Sequence, residues 1–117
     1  MDRPEFRVAV VGDADPGLVE RKLGELLRRK LITHAVTLYA GGAIALPVFL
    51  FAKAHRLASE RIGDPYPGDP LGSYRNAGLL NTCAAFIAFG DPAGWPRDVA
   101  DLVLRAKASG MRVRELE

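Results

Sequence analysis

Apolar residues along the chain alternate between two kinds of spacing. Phe6–Val11, "FRVAVV", is short, β-rich and apolar on both faces, as a buried parallel strand is, and Gly12 closes it. Asp15 then reads as an N-cap with Pro16 at the first helical position. Over Pro16–Lys30 and just beyond, Val19, Leu23, Leu26, Leu27 and Leu31 fall on one side, while Glu20, Arg21, Glu25, Arg28 and Arg29 fall on the other. That spacing predicts an amphipathic helix. Thr33–Ala40 predicts a second strand, ended by Gly41-Gly42. Pro47 fits the start of a second helix, and Leu50, Phe51, Ala54, Leu57, Ala58 and Ile62 repeat at helical spacing, with Phe49 off that face. The breaker-rich Gly63–Gly72 predicts a loop. Ser73 is placed to cap a short helix, Tyr74–Asn81, and Cys83–Phe89 predicts another strand buried on both faces. After the turn-rich "GDPAGWPRD", Asp98 is placed to cap a helix running to about Ser109, with Gly110 as its stop. "RVREL" predicts a last strand.

The order β-α-β-α-loop-α-β-α-β implies an α/β fold: one domain over residues 1–117, with a mostly parallel sheet of four or five strands and helices on both faces. One strand is ambiguous. Either the second helix stops near His55 and "RLASERI" extends, or the helix runs on through Arg61 and no strand forms there. In such sheets ligands bind beyond the carboxyl ends of the strands, near a topological switch point. Those ends carry Gly12–Asp15, Gly41–Ala43 and Gly90–Trp95, so Asp91 falls on the rim. The loop bearing Tyr74, Arg75 and Asn76 is expected to reach the same rim.

Composition narrows the function classes. A net charge of +2 over 117 residues is too small to argue for nucleic acid, and the basic clusters Arg28–Lys30 and Arg112–Arg114 read as solvated element ends. Cys83 is the single cysteine, so no intramolecular disulfide forms, and neither His34 nor His55 is placed by sequence to activate it. One Cys and two separated His give no metal-ligand spacing, and no cofactor motif is present. The N-terminal "MDRPEFR" lacks the order of a signal peptide, and "AIALPVFLFAKA" falls short of the ~20 apolar residues that span a bilayer. A cytoplasmic location with no membrane association is the expectation.

Three loops offer chemistry. Gly41-Gly42, between a strand and a helix, lets backbone N–H groups approach an anion, or is simply a turn. Asp13 and Asp15 suit a ribose hydroxyl or a cation, or serve as turn residue and cap. Arg75 offers a fork for phosphate or carboxylate, and Asn76 both a donor and an acceptor, unless the pair merely starts a helix. Trp95 either stacks on a base or packs over the sheet end.

The succession "FRVAVVG", "TLYAGGA", "YRNAGLL", "AAFIAFGDP" and "ADLVLRAKASGMRVREL" resembles the small single-domain members of the SLOG superfamily, the YspA-like group. The resemblance covers nearly the whole chain and is best from Tyr74 onward. It implies a Rossmann-like three-layer fold and a nucleotide or nucleotide-derived ligand. Related proteins in that superfamily are the LOG phosphoribohydrolases and DprA. It implies that Gly41, Gly42 and Ala43 form the first phosphate loop and that Arg75 and Asn76 are the superfamily's Arg-Asn pair. In the enzymes, an arginine and an acidic residue assist ribosyl-bond cleavage, which implies Arg75 and Asp101 as catalytic candidates. The chain departs from the pattern where Asp98-Val99 replaces Gly-Thr and where "AIALP" follows Gly42. The expected function is small-ligand binding in a sensor or accessory role. A nucleotide N-glycoside hydrolase is the enzymatic alternative, and an interaction protein with a degenerate pocket and a dimer surface on "LPVFLF" is the structural one.

Overall fold

The computed structural model describes residues 6–63, 67–69 and 72–116, so the predicted loop at 63–72 and the N-terminal segment lie partly outside the described residues. The strands are β1 (Phe6–Gly12), β2 (Val36–Ala40), β3 (Ala58–Arg61), β4 (Ala85–Phe89) and β5 (Arg112–Leu116). The helices are α1 (Pro16–Arg28), α2 (Ala45–Ala54), α3 (Ser73–Thr82) and α4 (Arg97–Ala108). The five strands form one sheet in the order β3-β2-β1-β4-β5, and every pairing is parallel. This is a Rossmann-like three-layer α/β sandwich.

Alternation along β1 explains the layers. Val8 and Val10 point to one face, where they pack with Leu23 and Leu26 of α1 and with Val48 and Phe51 of α2. Ala9 and Val11 point to the other, against Leu79 of α3 and Leu102, Val103 and Ala106 of α4. Each large aliphatic side chain so buried contributes roughly 1.5–3 kcal/mol of transfer free energy. With both faces covered, β1 is apolar at successive positions instead of alternating. The chain runs β1 to β2 to β3 in one direction, crosses back through α3, and continues from β4 to β5 on the other side of β1. The strand order therefore reverses between β1 and β4.

Asp15 caps α1 as expected, its Oδ2 accepting from the Gly17 N–H at 3.0 Å. Three other boundaries differ from the sequence reading. First, α2 begins at Ala45, directly after a 3-10 turn at Gly42–Ile44, and stops at Ala54. Its buried positions are Ala45, Val48, Phe51 and Ala52, so Leu50 is exposed while Phe49 packs partly against the core. The helix ends because Arg56 turns left-handed (φ 57°) and Leu57 N–H bonds to the Ala52 carbonyl at 2.8 Å. That is a Schellman closure without its usual glycine, followed by β3. Second, Ser73 does not cap α3. Gly72 is the N-cap, in the left-handed region (φ 63°), and Asp69 Oδ2 reaches across to accept from Tyr74 N–H at 3.0 Å. Third, Asp98 is not the cap of α4. Pro96 holds that position and Asp98 lies in the first turn, its carboxylate directed elsewhere.

Two glycines fix the switch point. Gly12 has φ 99°, and a Cβ there would lie 2.1 Å from the Phe89 carbonyl oxygen. Gly90 has φ 94°, and a Cβ there would lie 2.4 Å from the Asp13 carbonyl oxygen. The ends of β1 and β4 thus cross at a separation that no other residue allows.

Candidate functional site

Beyond the carboxyl ends of β1, β2 and β3 lies a cavity of about 360 Å³. Its two walls come from opposite layers of the sandwich. One wall is backbone: Gly12 at the end of β1 and Asp13 just after it, and Gly41, Gly42 and Ala43 after β2. The other is side chain: Arg75 and Leu79 from α3, Asp98 and Val99 from α4. Ile62 and Gly63 close it at the end of β3, and Gly94 and Pro96 at the loop before α4.

The backbone wall is shaped by close packing. A Cβ at Gly41 would meet the Ile62 carbonyl oxygen at 2.8 Å, so glycine lets β3 run close beside the turn. Gly42 has φ 69° and open space around it, so here glycine supplies a turn and not a close approach. Among the described residues no side chain caps the 3-10 turn or the start of α2. The turn that leads into α2 thus lines the cavity through Gly41, Gly42 and Ala43, with the positive end of the helix dipole behind it, an arrangement suited to an anion.

The side-chain wall is bonded to itself. Arg75 Nη2 donates to Asp98 Oδ2 at 2.7 Å and to Asn76 Oδ1 at 3.1 Å, and Nη1 donates to the Gly63 carbonyl at 3.2 Å. Arg75 Nε is buried without a partner among the described residues. Asn76 is fully buried; its Nδ2 donates to the Asp98 carbonyl at 2.9 Å and to Asp101 Oδ2 at 3.1 Å. Asp101 also pairs with Arg105 Nε at 3.1 Å, and Arg105 Nη1 donates to the Ser73 carbonyl at 3.3 Å. A continuous ionic and amide chain thus clamps α3 to α4. Apart from Arg75 Nε, the polar groups of the chain bond one another, which makes such a network costly to interrupt.

Of the residues singled out in the sequence, Gly12, Gly41, Gly42, Ala43 and Arg75 line this one cavity. Asn76 and Asp101 lie behind its wall, in the α3–α4 clamp. Asp91 caps a 3-10 turn, Pro92–Gly94, its Oδ1 accepting from Ala93 N–H at 3.0 Å, and it is not among the cavity's lining residues. Trp95 packs over the sheet end, with Nε1 donating to the Phe89 carbonyl at 2.9 Å. Asp98, expected as the cap of α4, instead lines the cavity and pairs with Arg75, a tertiary contact between residues far apart in sequence.

Cys83 is buried, and burial pushes its thiol up, away from the thiolate that a nucleophile needs. Among the described residues no cluster of three His, Cys, Asp or Glu is placed to hold a metal ion, and no helix is long and apolar enough to cross a membrane. No model of a known protein family matches the chain, and no curated protein matches it either.

Proposed function

We propose that the cavity binds one small nucleotide-class ligand, a mononucleotide or a nucleotide-derived phosphorylated molecule, and that the protein serves as a sensor or accessory binding domain. One observation carries this reading: a single switch-point cavity joins an uncapped helix N-terminus on one wall to a fixed donor and acceptor, Arg75 and Asp98, on the other. At about 360 Å³ the cavity sits at the small end of the roughly 300–1,000 Å³ typical of ligand sites, which suits one nucleotide unit. The turn at Gly41, Gly42 and Ala43 supplies backbone donors for a phosphate. The carboxylate of Asp98 suits the hydroxyl donors of a ribose, and Leu79 and Val99 supply apolar surface.

The binding reading is preferred to N-glycoside hydrolysis. Such a reaction requires a carboxylate beside an oxocarbenium-like centre. Asp101, the candidate for that place, is held by Asn76 and Arg105 behind the wall. Self-association has its own support: Leu46 and Leu50, one turn apart on α2, are 66% and 58% exposed. A homodimer through α2 is the partner arrangement this face suits.

Thermal-shift measurements with AMP, ADP-ribose and cyclic nucleotides test the proposal. A ligand at a hundred times its dissociation constant stabilises by about 2.7 kcal/mol, a readily visible shift. No stabilisation by any of them at millimolar concentration overturns the reading. Release of free base on incubation, followed by chromatography, overturns the preference for binding over hydrolysis.

A further inference from the structure

Arg75 is the one cation among the cavity's described lining residues, and its shortest contact is to a carboxylate of the protein itself, Asp98 Oδ2 at 2.7 Å. The two side chains are only 16% and 19% exposed. Asp98 is held in place: its backbone carbonyl accepts from Asn76 Nδ2 at 2.9 Å, and Asn76 is fully buried. The one guanidinium of the described lining is thus already matched by a carboxylate of the protein. A phosphate approaching Arg75 would meet Asp98 at the N–H it needs, in a partly desolvated place where like charges repel strongly.

Resting on the nucleotide-class reading above, we infer that Asp98 takes the anion's place at Arg75 and thereby sets which part of the ligand this wall accepts. The group that meets the pair is uncharged and both donates and accepts. A hydroxyl does this, donating to the Asp98 carboxylate and accepting from an Arg75 N–H. The ligand is then a nucleoside monophosphate with its ribose hydroxyls at Arg75 and Asp98 and its phosphate confined to the turn at Gly41, Gly42 and Ala43. A second phosphate on this wall is rejected.

Calorimetric titration tests this with three probes: AMP, an AMP analogue lacking both ribose hydroxyls, and inorganic pyrophosphate. On the wild-type protein, the analogue and pyrophosphate should each bind at least about tenfold more weakly than AMP, the usual scale for an unmet buried polar group or an uncompensated like charge. Asp98→Asn keeps an oxygen for Arg75 and removes the charge. It should gain about tenfold in pyrophosphate affinity, equivalent to about 1.4 kcal/mol. Asp98→Ser repeats the test if the first variant folds poorly, and the wild-type comparison stands without either. Pyrophosphate binding the wild type as tightly as AMP overturns the inference, as does a hydroxyl-free analogue that binds as well as AMP. If AMP binds and neither Asp98 variant gains pyrophosphate affinity, the role of Asp98 fails while the nucleotide reading survives. If AMP does not bind but the variants gain pyrophosphate affinity, the nucleotide reading fails and Asp98 remains the residue that excludes anions.

Discussion

The two walls of the cavity are built from different materials. On the α1–α2 side the surface is backbone, shaped by glycines at positions 12, 41 and 42 and opened by a helix start that no side chain caps. On the α3–α4 side the surface is side chain, and the polar groups there are bonded to one another: Arg75 to Asp98 and Asn76, Asn76 to Asp101, Asp101 to Arg105. Backbone donors at a helix start have nothing else to bind and are available to a ligand. An ionic network bonded within itself holds α3 to α4, and a ligand must fit around it. The charged residues that look most functional in the sequence thus also hold the fold, while the glycine turn is the more open half of the cavity.

Substitutions on each wall separate these roles. The largest effect is expected at Gly12→Ala, where a Cβ would lie 2.1 Å from the Phe89 carbonyl oxygen at φ 99°. Clash and strain together should cost about 3 kcal/mol or more, measured by urea unfolding. Next is Asn76→Ala, which leaves Asp101, the Asp98 carbonyl and Arg75 Nη2 each short of a partner and opens a hole between α3 and α4. A loss of about 2–3 kcal/mol is expected; a loss below half a kcal/mol would contradict the clamp. Gly42→Ala should cost only about 1 kcal/mol, since its Cβ meets nothing within 4 Å and only the positive φ opposes it. If the turn binds the phosphate, this variant should weaken AMP binding despite its small effect on stability. Asn76→Ala tests the opposite case, a large loss of stability through a residue that does not line the cavity.

The smallest effect concerns pH. Cys83 packs in the α3–α4 cluster, and burial raises its thiol above the ordinary value. The folded state therefore favours the neutral thiol. Its contribution is complete below the unfolded thiol's value and is lost as pH rises from there through the higher folded value. Unfolding midpoints at pH 7 and pH 10 should show a smaller alkaline loss for Cys83→Ala than for the wild type. An equal loss in both would remove Cys83 from the account.

Legibility in the sequence follows the same division. The strands β1 and β4, the helix α1 with its Asp15 cap and the turn at Gly41-Gly42 were all readable, because apolar runs, caps and glycines are local signals. β3 was not readable with certainty. All four of its residues are exposed, so "ASER" shows no alternation, and the left-handed residue that closes α2 is Arg56 and not the glycine that normally announces a helix end. The cap of α3 was hidden because Asp69 supplies it from five residues away. The sheet topology pointed Tyr74, Arg75 and Asn76 to the rim together; all three lie on α3, and of them Arg75 lines the cavity. Its capture by Asp98 was not legible, since 23 residues separate the two and only the packing of α3 on α4 brings them to 2.7 Å.

An amide-resolved NMR titration with AMP tests most directly whether the glycine turn leading into α2 receives the ligand's phosphate. Saturable shifts are expected at the N–H groups of Gly41, Gly42 and Ala43, with smaller changes at Arg75 and little at Asn76. Saturable binding that leaves the three turn amides unmoved would contradict that role for the turn, and so would the absence of any shift at millimolar AMP.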